Sequence, residues 1–354
     1  MAAVEHHTPL TALAGERDVA SEHEILTERC GLLDRSERGK LALTGADAVE
    51  FLNGQLTNEL ADLQAGEGRY AAFLTHKGKM LGDVRVLAVA ADGVGVSDDD
   101  RVDMNDGDGD GAAVELLLDT ERVCLQALFD MIRRYKVGYR VELHKRTLER
   151  GLLSLIGPRA AAVADAEALG EQEHANLPLS IAGLGALAVR TDVGVDLLCA
   201  AADTATLAAT LRSRGAEPVS EAAAECVRIE RGRPRYGVDL DDSVIPQEAG
   251  LNERAVSFTK GCYVGQETVA RLFYKGKPNR HLRGLMLSEP LPAGSELVLG
   301  ERIVGTLTSV ALSRRLGPIG LALVRREAQP GARVQLAGSG GAGAEVVELP
   351  FQAP

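Results

Sequence analysis

The chain has 354 residues, 45% of them hydrophobic and 25% charged, which suits a soluble globular protein of two or three domains with sizeable cores. Its net charge of −12 disfavours a general binder of nucleic acid or of anionic membrane, on the average of the chain though not for local patches. Aromatics amount to 3% with no tryptophan, so the core is expected to be aliphatic and base stacking is disfavoured.

The N-terminal MAAVEHHTPLTALAGERD lacks the basic start and long apolar run of a secretion signal. No apolar segment reaches membrane-spanning length. Cys30, Cys124, Cys199, Cys226 and Cys262 are odd in number, widely spread and without a CxxC pair. That pattern argues against a disulfide framework or a cysteine metal cage and for a cytoplasmic protein with reduced thiols.

Along the chain, residues up to about Ser21 show no element pattern. GADAVEFLNGQL, Gly45 to Leu56, predicts a short helix with Val49, Leu52 and Leu56 on one side. Arg69 to Thr75 and Met80 to Ala90 predict a hairpin turning at His76-Lys77-Gly78-Lys79. Ser97 to Gly111 is acidic and of low complexity. Its Asp106, Asp108, Asp110 and Gly111 match the opening of a calcium loop, but the twelfth position is Leu117 instead of a glutamate, so a solvated loop is the expectation. Leu116 to Arg134 is read as helix, Gly138 to Leu143 as strand, and Leu152 to Ile156 as a buried strand stopped by Gly157-Pro158. Asp203 and Ser220 are read as caps of helices running to Ser213 and Gly232. From His281 onward, short apolar runs separated by Gly, Pro and Ser predict a small antiparallel barrel or sandwich. The fold class is therefore α+β with an all-β C-terminal domain.

Four features could carry chemistry. In EAAAECVRIERG, Glu230 falls inside the face made by Ala222, Ala223, Cys226, Val227 and Ile229. A carboxylate there must be satisfied. Its partner is either internal, one of Arg228, Arg231, Arg233 or Arg235, or a ligand offering two adjacent N–H donors, as a pterin does. In MLGDVRVLAVA, Asp83 and Arg85 interrupt an apolar strand side; they either pair with each other or line a cavity. Arg228 to Arg283 holds eleven Lys and Arg against seven Asp and Glu, either a solvated basic stretch or one suited to a polyanion. In SFTKGCYVGQETVAR, Cys262 follows Lys260 by two residues. If GQETVAR starts a helix, both features would activate the thiol; the alternative is a small side chain in a tight turn.

Taken together these segments resemble the folate-binding superfamily of the glycine-cleavage T-protein, from about Glu28 to Val324. KGCYVGQE is similar to the signature of its YgfZ-type branch, linked to iron–sulfur protein maturation. RIERGRPRYGVDLDDSVIPQEAGL, GLLDRSERGKLALTGADAVEFLNGQLTNEL, KGKMLGDVRVL and LIGPRA resemble further superfamily segments. The chain departs from aminomethyltransferases at Ser36-Glu37-Arg38-Gly39, at Gly82 before a single Asp83, and at Arg190 to Gly194.

The resemblance implies a three-lobed aminomethyltransferase-like, folate-binding fold with a C-terminal antiparallel β-barrel. The expected lobes are residues 1–48 with 144–275, residues 49–143, and residues 276–354. It implies tetrahydrofolate, or a one-carbon derivative, as cofactor. Glu230 would orient the pterin, with Asp83, Arg85, Tyr70, Tyr236 and Gln266 completing the folate contacts, while Cys262, Lys260 and Asp83 would serve the reaction. The first expectation is an accessory protein for assembly or repair of iron–sulfur enzymes, with indirect effects on tRNA modification. Its partners would be folate and iron–sulfur client enzymes or assembly factors, with no membrane and no direct nucleic-acid contact. The alternatives are a glycine-cleavage-type aminomethyltransferase and an RNA-binding module.

Overall fold

The computed structural model describes residues 17–90, 114–337 and 341–352; the acidic calcium-like stretch lies outside them. The chain divides into two units. The first comprises residues 1–53, 59–70 and 84–220, and the second residues 54–58, 71–83 and 221–354.

The first unit opens with helix α1 (Val19–Glu28), capped by the Asp18 carboxylate, which accepts from Ser21 N at 2.7 Å. The Asp18 side chain and α1 thus order part of the stretch read as lacking an element. Strands β1 (Gly31–Asp34) and β2 (Gly39–Thr44) precede helix α2 (Ala48–Asn53) and the hairpin β3 (Gly68–Leu74)–β4 (Met80–Ala90), whose residues 71–83 are assigned to the second unit. Then follow β5 (Val114–Thr120), helix α3 (Leu125–Tyr135), β6 (Glu142–Lys145), β7 (Arg150–Ile156) and helix α4 (Ala160–Val163). β8 (Asn176–Ile181), β9 (Leu184–Thr191), β10 (Gly194–Ala200), helix α5 (Thr204–Ser213) and the short β11 (Glu217–Pro218) complete the run. The strands form two sheets, ordered β11-β1-β7-β10-β9-β8 and β3-β4-β5-β2-β6.

Period-two alternation decides which sheet face each residue covers. Leu152 and Leu198 face a cluster with Ala42, Leu87 and Leu117 of the other sheet. Their neighbours Leu153, Leu155 and Leu197 face α4 and α5 through Ala160, Val163, Leu207 and Leu211.

The helix expected over Leu116 to Arg134 is a correction. Val114–Thr120 is a strand, paired on both sides and buried along most of its length, and the helix starts after it, with a 3-10 turn at Arg122–Cys124 leading into Leu125–Tyr135. A short apolar run buried on both faces carries no period, so Leu116, Leu117 and Leu118 read equally as either element. Ser220 directly precedes the helix Glu221–Glu230, and its hydroxyl donates to the Glu22 carboxylate.

The second unit contains helices α6 (Glu221–Glu230), α7 (Asn252–Ala255) and α8 (Gln266–Lys275) and a closed six-stranded antiparallel barrel. Its strands are β12 (Arg280–Leu287), β13 (Glu296–Leu299), β14 (Arg302–Ser313), β15 (Gly317–Arg325), β16 (Arg333–Leu336) and β17 (Gly343–Val347). Ala322 and Val324 of β15 point into the barrel with Leu285, Leu297 and Val346. Ile319 and Leu321 point out and pack against Ile229 of α6 and Phe351. The all-β tail expected from Gly- and Pro-spaced apolar runs is thus this barrel, and α6 lies on its wall. No described helix is long and apolar enough to cross a membrane.

Candidate functional site

The two carboxylates expected at the pterin, Glu230 and Asp83, both belong to the second unit and are both buried, at 8% and 7% exposure. Ile229 seats the end of α6 on the barrel, which brings Glu230 to the last residue of β14. There the Ser313 hydroxyl donates to Glu230 Oε1. Ser313 Oγ in turn accepts from the backbone N–H groups of Arg315 and Leu316, at 3.2 and 3.0 Å. With its acceptor side filled, the hydroxyl has its proton left for the carboxylate. One turn back on α6, burial and the Glu230 charge push the Cys226 thiol up to about 12.

Two of the candidate arginine partners are committed elsewhere. Arg228 donates to Glu225 and to Asp239, and Arg235 pairs with Glu221 and Glu225. Asp239 is a hub that the sequence reading missed. Oδ2 accepts from Arg228 at 2.7 Å and from Arg235 N at 3.0 Å, while Oδ1 accepts from Thr308 and Ser309, each at 2.6 Å. Consecutive strand residues normally point to opposite faces. The register shift between Leu307 and Ser309 is a bulge that turns both hydroxyls to one oxygen. A carboxylate flanked by Val238 and Leu240 was the available signal.

Other residues of the 235–244 loop tie it to the hairpin tip that carries Asp83. Tyr236 Oη donates to Met80 O at 3.3 Å, Met80 N to Val244 O at 2.9 Å, and Lys79 Nζ to Ser243 O at 2.6 Å. Tyr236 is therefore buried with its phenol oriented by backbone.

The KGCYVGQE loop is a clasp. Lys260 is buried, and its ammonium donates to Leu56 O at 3.0 Å and Asn58 O at 2.6 Å, 5.5 Å from the Tyr263 ring centre. Val264 N donates to Gly54 O at 3.3 Å. Gly265 adopts φ 85°, and a Cβ there would meet Thr75 O at 2.6 Å, so glycine is required for both reasons. Gln266, half-buried, begins α8. Cys262 alone of the five thiols is exposed; Cys30, Cys124, Cys199 and Cys226 are free and buried. The Lys260 ammonium is directed to carbonyls of the 54–58 segment, and Cys262 lies three residues ahead of the Gly265 cap, outside the first turn of α8.

Arg85 and Tyr70 belong to the first unit. Arg85 does not pair with Asp83: Nε donates to Asp119 at 2.7 Å and Nη1 to Asp196 at 2.6 Å. Arg38 donates twice more to Asp119, at 2.9 and 2.8 Å, and pairs with Glu121. Burial alone would raise the Asp119 pKa, but Arg38 and Arg85 outweigh it and hold the carboxyl well below the usual range. Lys40, nearly inaccessible, donates to Ser36 O and Arg38 O at 2.8 and 3.0 Å, and burial pushes its pKa down. The Ser36-Glu37-Arg38-Gly39 turn is thus held by its own lysine and by an ionic cluster. Tyr70 is half-buried, its ring centre 6.2 Å from that of His174.

The GCVT N-terminal domain matches residues 12–103 and the glycine cleavage T-protein C-terminal barrel domain matches residues 280–352. The chain is 32% identical over 358 residues to the aminomethyltransferase of Streptomyces avermitilis, covering 95% of this chain and 89% of that protein. The chain belongs to the glycine-cleavage T-protein (aminomethyltransferase) family. The aminomethyltransferase of Streptomyces coelicolor is 28% identical over 93% of this chain and 88% of its own length. The aminomethyltransferase T of Bartonella henselae shares the fold at a TM-score of 0.80 and 25% identity, over 96% of this chain and 91% of that one. These matches extend the T-protein family likeness over nearly the whole chain. They support the aminomethyltransferase alternative better than the iron–sulfur role expected first.

Proposed function

We propose that this protein binds tetrahydrofolate and acts on its one-carbon unit in the manner of an aminomethyltransferase. The observation that carries the reading is a buried carboxylate, Glu230, ending a helix on the barrel wall, in a chain 32% identical to an aminomethyltransferase. Folate supplies a nitrogen pair that accepts and releases one-carbon groups. Glu230 takes the adjacent N–H donors of the pterin, with Ser313 holding the carboxylate from its other side. Asp83 holds or accepts the proton at the reactive nitrogen. Tyr236 and Gln266 shape the contact, together with Tyr70. Arg85 has two nitrogens engaged inside the protein and would act by stiffening β4. In this reading the lobes are residues 1–48 with 144–275, 49–143 and 276–354.

A second reading is favoured by one observation. In the clasp the Lys260 side chain bonds backbone carbonyls, Tyr263 is buried and Gly265 is required by its turn, whereas the Cys262 thiol is presented to solvent. A folate-binding accessory factor for iron–sulfur enzymes, the YgfZ-type role, would use such a thiol. The two readings part in a glycine-cleavage assay with carrier protein and tetrahydrofolate. Methylene-tetrahydrofolate formation supports transfer. Folate binding without turnover, combined with loss of cellular iron–sulfur enzyme activity on Cys262→Ala, supports the accessory role.

A further inference from the structure

The chain is poor in aromatics, six Phe and six Tyr, yet three of them meet on the outside of the second unit. Phe258 and Phe273 stack with ring centres 3.7 Å apart and planes 15° from parallel. Tyr274 stands across that pair, 5.0 Å from Phe273 at 80° and 6.5 Å from Phe258 at 77°. Phe273 is 45% exposed and Tyr274 65% exposed. Exposure on this scale of large apolar rings, gathered instead of scattered, marks a contact surface.

Cations surround the rings. Arg271, Tyr274 and Lys275 fall on one face of α8 at i, i+3 and i+4 spacing, and Lys277 follows just past its end. Arg271, Lys275 and Lys277 are exposed, and among the described residues none of them has an ion-pair or hydrogen-bond partner. By contrast, the neighbouring Arg280 and Arg283 are paired with Glu248 and Glu348. Three uncompensated cations flanking a projecting aromatic ring stand out in a chain of net charge −12.

We propose that this face of α8 binds a single-stranded polynucleotide. An unpaired base stacks on Tyr274, supported from behind by the Phe258–Phe273 pair, and the phosphates on either side meet Arg271, Lys275 and Lys277. The composition argument against base stacking fails here because it averages over the chain, whereas recognition needs only one ring with cations at the right spacing. An acidic protein would satisfy the cations but would leave the perpendicular ring without a stacking partner.

The test is fluorescence anisotropy of the full chain with a labelled oligouridylate of about 12 nucleotides, a length within the range of single-strand sites. Binding should weaken with salt, with a slope of log K on log salt of roughly −2, as three phosphate contacts on a single strand require. Tyr274→Ala should weaken binding about five- to a hundredfold and Tyr274→Phe should restore it. Removing the charges of Arg271, Lys275 and Lys277 together should abolish binding at about 0.15 M salt. An oligothymidylate of equal length should bind alike, since the contacts are ring faces and phosphates. Tyr274 is exposed enough that its variants should keep the wild-type melting temperature and folate affinity. Unchanged affinity in Tyr274→Ala, absence of binding at low salt, or displacement of the oligonucleotide by poly-L-glutamate as readily as by unlabelled RNA would each overturn the proposal. The last result would point to an acidic protein instead.

Discussion

The hydroxyl of Ser313, the final residue of β14, donates to the carboxylate of Glu230, the final residue of α6. This contact joins the folate candidate to the barrel and gives Glu230 an internal serine partner, where the sequence left open an internal arginine or a ligand. A serine hydroxyl donates one hydrogen bond to one carboxylate oxygen and brings no charge of its own.

Ser313→Ala should therefore cost stability, because it leaves a buried carboxylate oxygen and two turn N–H groups short of a partner. The expected loss is about 1–3 kcal/mol, read by urea denaturation. Folate affinity should fall by less than in Glu230→Ala. Equal stability of the variant and wild type would show the hydrogen bond to be dispensable.

Lys260 and Cys262, two residues apart in one motif, should behave oppositely. Lys260→Met strands the carbonyls of Leu56 and Asn58 and should destabilise the second unit by about 1–3 kcal/mol. Cys262→Ser should leave stability within about 0.5 kcal/mol of wild type. A stable Lys260→Met protein with lost activity would return the lysine to the reaction.

Thiol labelling distinguishes the cysteines directly. Burial pushes Cys30 and Cys226 up to about 12, so neither supplies thiolate at pH 8, and Cys199 is also raised. Iodoacetamide on the folded protein should modify one site, Cys262, with the other four reacting only after unfolding. Mass spectrometry showing two or more rapidly labelled sites would contradict the burial of the rest.

Asp119 governs the acid limit of the first unit. Its folded pKa lies below the unfolded value, so the stability it contributes is present above about pH 4 and is lost as pH falls through the folded value. Arg38→Leu removes one of the two cations that overcome burial. The folded pKa should then rise, and acid unfolding should begin at higher pH, with a loss of about 3–5 kcal/mol at neutral pH. Circular dichroism against pH checks both; an unshifted acid transition would mean that Arg85 alone suffices.

What could be read from the sequence was what depends on near neighbours. The helical wheel placed Glu230 among Cys226, Val227 and Ile229, and it is buried. The hairpin around Lys77-Gly78 and the Gly- and Pro-spaced strands of the barrel were legible because turn residues and period-two patterns are local. The internal partners of Lys260 and Arg85 were not legible because they are remote. Leu56 and Asn58 precede Lys260 by about two hundred residues, and Asp119 and Asp196 sit on β5 and β10. Asp239 was overlooked because its serine and threonine donors converge through a bulge that no periodicity announces.

The most direct test is calorimetric titration with tetrahydrofolate of wild type and of Glu230→Ala, with melting temperatures measured in parallel. The account predicts saturable binding by the wild type and at least a roughly tenfold weaker constant for a variant that remains folded, the scale of a lost charged hydrogen-bond pair. Identical titration curves for the two proteins would contradict it.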